Sequence, residues 1–149
     1  MNASPAPPPA AFSRTLPARL EDAGLLLDDF VAWCTACGAA GRVVGQLHLM
    51  LDEITTNVIL HGYHGDPAGT LTIDAECAGH RIVLTISDLA PPFDPLAQAP
   101  EPDLSLALDE RPIGGLGMHL VRQMADEVSY ARVQADGQAL NRLRIVKRF

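Results

Sequence analysis

The chain has 149 residues, the size of one ordinary domain, and 48% of them are hydrophobic, enough to build a core. Lys and Arg number 11 against 18 Asp and Glu, and the formal charge of -7 disfavours nonspecific attraction to nucleic acid or to an anionic membrane. The opening MNASPAPPPA lacks the charged and strongly apolar regions of a signal peptide, and no later segment approaches the ~20 uninterrupted apolar residues of a membrane span. The expectation is a cytoplasmic protein with a flexible Pro/Ala-rich tail over 1–10, one domain over 11–149, and neither direct nucleic-acid nor membrane contact.

Ala11 to Leu16 reads as a short edge strand ending at Pro17. From Arg19 to about Cys37 apolar residues recur at helical spacing, through Leu20, Ala23, Leu26, Leu27, Phe30, Val31, Trp33 and Cys34, and Gly38 and Gly41 stop the run. Cys34 and Cys37 have the CxxC spacing of redox or zinc sites, but they lie inside this helix and no second pair supplies the other two ligands of a closed zinc site. The expected reading is two small residues on one helix. Val43 to about Gly62 forms a second helix, with Leu47, Leu51, Ile54 and Val58 on the stripe of a core face and Gly62 as its C-cap.

HGDPAG, His64 to Gly69, is turn chemistry. LTIDAEC and RIVLTIS follow as two strands of a hairpin joined by Ala-Gly-His. From Leu89 to Ile113 the chain is proline-rich without a sustained period, and so long a loop in a small domain reads as a functional lid. GGLGMHLVRQMAD then opens a third helix with Leu116, Leu120, Val121 and Met124 inward. EVSYARVQ and LNRLRIVKRF close the chain as two strands around Ala-Asp-Gly-Gln. The order β, α, α, β, β, lid, α, β, β predicts an α+β two-layer sandwich, a mostly antiparallel sheet with helices on one face.

Three features carry chemistry. Glu53 and Asn57 stand at i, i+4 on the second helix, ~60–100° from its core stripe at ~100° per residue, so they line the shoulder of the core. A carboxylate there can act as a base and an amide oxygen can hold Mg²⁺, although such pairs also arise as plain surface residues. Asp88 ends the strand RIVLTIS, where it either caps the turn or presents its carboxylate to a ligand amino group. Gly114-Gly115-Leu116-Gly117 opens a helix after the long loop, either as a hinge or as a set of exposed amides that favour phosphate. It is neither a Walker loop nor a dinucleotide fingerprint.

Taken in this order, LDEITTNVILHGY, SDLAPPFDP and GGLGMHLVRQMADEVSY resemble the Bergerat-fold (GHKL) ATPase and kinase superfamily, and within it the anti-sigma factor serine/threonine kinases of the RsbW and SpoIIAB type. The resemblance spans about Phe12 to Phe149. It implies ATP and Mg²⁺, with Glu53 as general base or water-orienting residue, Asn57 as the Mg²⁺ ligand and Asp88 on the adenine amino group. It also implies that Ala90, Phe93, Gly114, Gly115, Leu116, Gly117 and Met118 surround the nucleotide, beneath a lid from about Leu96 to Ile113. The implied partners are a sigma factor and an anti-anti-sigma (STAS) protein, with homodimerisation.

One departure stands out: the family's second box reads Asp-x-Gly, whereas Asp88-Leu89-Ala90 carries a methyl group that restricts positive φ and narrows the adenine pocket. It leaves open a rival reading, a noncatalytic binding module of the same fold. A histidine kinase is disfavoured, because the chain has no room for a dimerising helical pair and none of His48, His61, His64, His80 or His119 lies in a phosphoacceptor context. His61-x-x-His64 is a poor metal site because the second helix ends between them. Arg111, at the end of the lid, is expected to be solvated rather than to reach the γ-phosphate.

Overall fold

The computed structural model describes residues 11–98 and 115–149. Five strands form one antiparallel sheet in the order β1-β2-β3-β5-β4: β1 is Ala11–Pro17, β2 Thr70–Ala78, β3 Arg81–Asp88, β4 Glu127–Ala135 and β5 Gln138–Arg148. Helix α1 spans Leu20–Ala36, α2 Gly41–Asn57, α3 Pro95–Gln98 and α4 Gly115–Met124. The strand expected at the N-terminal end of the domain is an edge strand, and the two expected hairpins close through Gly79-His80 (φ 56° and 61°) and Asp136-Gly137 (φ 52° and 77°). Two successive positive φ values give the turn whose twist matches that of the flanking strands.

Period-two alternation decides which side of the sheet is covered. Phe12, Leu16, Leu71, Ile73, Ala75, Ile82, Leu84, Ile86, Leu143 and Ile145 are buried in one cluster with the helices. Their neighbours Ser13, Thr15, Thr72, Asp74, Thr85 and Arg144 face the other way and are exposed or half-buried. The helices therefore lie on one face, as a two-layer α+β sandwich requires. Helix α2 is the centre of that layer, packed against α1 on one side and α4 on the other. Its stripe Leu47, Met50, Leu51 and Ile54 is wholly buried.

Helix α1 holds β1 through aromatic contacts: Phe12 meets Phe30 edge to face at 5.7 Å and Trp33 at 5.8 Å between ring centroids. Arg14 covers the outer side of the Phe12 ring at 4.6 Å. The helix ends where Gly38 takes φ 93°, with Gly38 N–H donating to Thr35 O and Ala39 N–H to Cys34 O. This is the paired closure that a left-handed residue after a helix permits. Gly41, expected as a second stop, instead opens α2.

The end of α2 departs from expectation. Beyond Asn57 the helix widens into a π turn over Val58–Gly62, with Tyr63 N–H bonded to Val58 O at 2.9 Å. Gly62 is not a left-handed C-cap; positive φ occurs later, at His64 and Gly65. A Cβ at 62 would make only ordinary contacts, 3.6 Å from the Ala90 Cβ and 3.8 Å from Phe93, so neither packing nor backbone conformation requires glycine here. Tyr63 then bolts the turn to the sheet, its hydroxyl donating to Thr70 O at 2.6 Å and accepting from Leu89 N–H at 2.8 Å.

Cys34 is buried, and Cys37 is half-buried near Cys77 of β2; burial pushes the thiols of Cys34 and Cys37 up to about 12. Among the described residues no group of three or more His, Cys, Asp or Glu is placed to hold a metal ion. Cys34 and Cys37 should resist alkylation by iodoacetamide at pH 7 in the native protein and react in denaturant, because the thiolate is the nucleophile; mass spectrometry of the alkylated protein checks this. Truncating the fully buried Phe30 to Ala should cost ~3–5 kcal/mol of unfolding free energy, read by urea denaturation.

Candidate functional site

Glu53 and Asn57 occupy the last turn and a half of α2, and both are half-buried, as expected for the shoulder of the core. Burial, and then the adjacent Asp52, hold the Glu53 carboxyl above the ordinary carboxylate range. The carboxylate faces α4, the neighbouring helix of the same layer. A Cβ built on Gly117 would lie 1.9 Å from Glu53 Oε2, so the carboxylate rests directly against the glycine backbone. Gly117 is the third residue of α4, where N–H groups lack partners within the helix and the dipole is positive. Glu53 and the glycine-rich helix start, 64 positions apart, thus form one locus (117 − 53). The Asn57 side chain takes no hydrogen bond from the described residues, and π turns are frequent at functional sites.

Asp88 points into the layer between sheet and helices. It lines a small recess with Ile54, Val58, Ile86, Phe93 and Tyr130, with room for about one water molecule. Ile54 and Val58 each follow one of the polar pair on α2, so Glu53, Asn57 and Asp88 belong to one end of the molecule. Burial holds the Asp88 carboxyl above the ordinary range, while hydrogen bonds from Asn141 and Ala90 and the charge of Arg132 pull the other way. Asp88 Oδ1 accepts from Ala90 N–H at 3.0 Å and from Asn141 Nδ2 at 2.8 Å. Oδ2 accepts no hydrogen bond from the described residues, which leaves one carboxylate oxygen for a donor on a ligand.

Asn141, in β5 directly opposite Asp88, is 2% exposed and is the hub that the sequence reading missed. Its Nδ2 also donates to Ala90 O at 3.2 Å and Pro91 O at 3.0 Å. Its Oδ1 accepts from Tyr130 Oη at 2.5 Å, Arg132 Nη1 at 3.1 Å and Phe93 N–H at 3.2 Å. The one local signal was a polar residue at an inward position of the alternating strand LNRLRIV.

The alanine in the Asp88-Leu89-Ala90 box is accommodated without strain. Ala90 does not have positive φ, so the conformational objection to a methyl group falls away. The residue is 1% exposed, its Cβ faces Gly62, and its carbonyl accepts from Arg132 Nη1 at 2.8 Å. Of the remaining expected residues, Met118 buries its side chain in the core, so only its backbone is available to a ligand. Phe93 is half-buried beside Asp88, and Gly115 and Leu116 begin α4. Gly114, Arg111 and the lid between 99 and 113 lie outside the described residues. The first stretch of the lid is anchored: α3 follows Phe93, and Arg122 of α4 donates to Leu96 O.

Residues 16–147 match the histidine kinase-like ATPase domain family. An anti-sigma F factor of Anoxybacillus flavithermus is 34% identical over 101 residues, covering 60% of this chain and 68% of the relative. An anti-sigma F factor of Halalkalibacterium halodurans is 31% identical over 59% of this chain and 66% of its own length. The serine/threonine-protein kinase BtrW of Bordetella bronchiseptica is 29% identical over 62% of this chain and 65% of its own. The matched part therefore spans about two thirds of each relative. A family match over nearly the whole chain, on a five-stranded antiparallel sheet with its helices on one face, leads to one conclusion: the chain belongs to the histidine kinase-like ATPase domain family and, within it, to the serine/threonine kinases of the anti-sigma factor type.

Proposed function

We propose that this chain uses ATP to phosphorylate a serine or threonine of an anti-anti-sigma STAS-domain protein, and that in an alternative complex, as a homodimer, it sequesters a sigma factor. The observation that carries the catalytic half is the contact of the Glu53 carboxylate with Gly117 in the first turn of α4. It sets a basic group beside a helix start that favours phosphate, at the same end of the sheet as Asp88.

Asp88 Oδ2 accepts from the exocyclic amine of adenine, a role that requires an acceptor and that Asn141 and Ala90 leave to that oxygen. The amides of Gly115, Leu116 and Gly117 hold phosphate oxygens at the positive end of α4. Asn57 fits a hard cation, since its amide oxygen is half-buried and uncommitted among the described residues, one helical turn after Glu53. A Mg²⁺ ion held there would neutralise charge on the phosphates. Glu53 Oε2 takes the proton of the incoming hydroxyl as the new oxygen–phosphorus bond forms and the bond to the ADP oxygen breaks. Its raised pKa suits that role, bringing the carboxylate closer to the hydroxyl in proton affinity.

The test is incubation of the protein with Mg-ATP and STAS-domain proteins from the same genome, reading phosphoserine or phosphothreonine by mass spectrometry. Glu53→Ala should lower transfer by ~10²–10⁴-fold while nucleotide binding persists; transfer that survives this change rules out Glu53 as the base. No ATP binding by the wild-type chain at millimolar concentration would favour the noncatalytic binding module instead. Because Glu53 must be ionised to accept a proton and its pKa is raised, turnover should rise with pH along a limb lying above the ordinary carboxylate range, then level off.

Gly117→Ala should abolish most transfer by displacing the Glu53 carboxylate from the new methyl. The mutant should remain folded, because Glu53 is half-buried and can turn outward. Kinase assay together with circular dichroism separates the two effects.

A further inference from the structure

We infer that Asn141 is the residue that sets purine specificity, by locking Asp88 in the one orientation that offers Oδ2 to a 6-amino group and by tying the root of the lid to β5. The inference rests on the reading of Asp88 as the nucleobase acceptor and adds to it a positioning residue on a different strand.

A lone carboxylate at a strand end rotates freely and presents either oxygen. Asp88 cannot, because two donors converge on its Oδ1, the Ala90 amide at 3.0 Å and Asn141 Nδ2 at 2.8 Å. Asn141 in turn has no freedom. Its amide oxygen accepts from Tyr130, Arg132 and the Phe93 amide, donors that fix which end of the side chain is oxygen and therefore aim the nitrogen at Asp88. A side chain that is 2% exposed and fully committed holds its geometry, since breaking any one bond leaves a buried polar group unpaired.

The same side chain grips Ala90 O, Pro91 O and Phe93 N–H, three successive points on the segment that leaves β3 toward α3. Arg132 Nη1 grips Ala90 O as well. The segment preceding the lid therefore has its shape set by β5 and β4. The wall beside the recess and the acceptor within it are fixed by one residue, so base recognition and the path of the lid root are coupled through Asn141.

A site built around a committed acceptor discriminates strongly against a ligand that lacks the matching donor. Wild type should bind ADP roughly ten- to hundredfold more tightly than IDP, which carries a 6-oxo group, as expected for a hydrogen bond to a charged group. Asn141→Leu keeps the branched four-atom side chain and removes every bond; Asn141→Asp, when ionised, keeps the acceptor and removes the donor to Asp88. Both should bring the ADP-to-IDP ratio to within about threefold of unity.

The groups facing Asp88 are Arg132 from β4, whose charge favours its ionised form, Tyr130 from the same strand, Tyr63 from the turn after α2, and Asn141 itself. In Asn141→Leu the loss of a donor to the carboxylate should move the acid limb of ADP binding to higher pH. General loosening of the fold would weaken ADP and IDP alike, without changing their ratio. The measurement is isothermal titration of the full chain with ADP and IDP across pH 5–8, alongside thermal denaturation. If wild type binds neither nucleotide, the nucleotide reading fails. If wild type discriminates and a folded variant, Leu or Asp, keeps both the ratio and the pH limb, the inference about Asn141 is overturned.

Discussion

The burial of one stripe of α2 against the sheet is the constraint on which the rest depends. Leu47, Met50, Leu51 and Ile54 lose all contact with solvent, and this fixes the depth and rotation of the helix. Everything at the site follows from that rotation. With Ile54 and Val58 facing β3, the residues immediately before them, Glu53 and Asn57, are carried to the shoulder of the layer, where they are half-covered. A rotation of one residue, ~100°, would bury or fully expose them.

The shoulder position accounts for the electrostatics. A carboxylate in open water keeps its ordinary pKa, and one in the dry core must neutralise or pair. Glu53 lies between these limits, desolvated enough to be raised and open enough to meet a ligand. Asp88 is more deeply placed and is held by a different device: its burial is offset by directed hydrogen bonds from β5 and its own turn. Two carboxylates at one end of the sheet thus have different surroundings, one packed against a helix start and the other clamped by a buried amide. Such a division suits two different tasks, proton transfer and recognition.

Glycine serves the site through close approach. Gly117 lets the backbone of α4 touch Glu53, while Gly62 lies in the π turn beside Ala90 and Phe93 with room for a methyl group. These contacts draw three segments together, the end of α2, the chain after β3 and the start of α4. The alanine at position 90 belongs to the same packing: its methyl meets Gly62, and the backbone around it is held by Asn141 and Arg132. What reads in the sequence as the loss of a flexible glycine is, in the fold, a buried small side chain on a backbone that needs no positive φ.

Much of this was legible beforehand because it is local. Helical periodicity placed α1 and α2, alternation and turn residues placed the strand pairs, and the order of Glu53, Asn57, Asp88 and the glycine run pointed to the family before any contact was known. The widening of α2 at Val58 and the shift of the left-handed residue from Gly62 to His64 and Gly65 were not legible, since a π turn has no signature in the spacing of side-chain types that would separate it from a continuing α-helix. Nor was Asn141, which stands 53 residues from Asp88 and becomes its partner only because β3 and β5 are neighbours in the sheet. The sequence by itself determined the kinds and order of the elements and the identity of the polar residues at their ends, because these depend on side-chain type and spacing along the chain. Only the tertiary structure decided which of them meet, because strand pairing and helix packing bring together residues whose separation in sequence carries no period that could announce the contact.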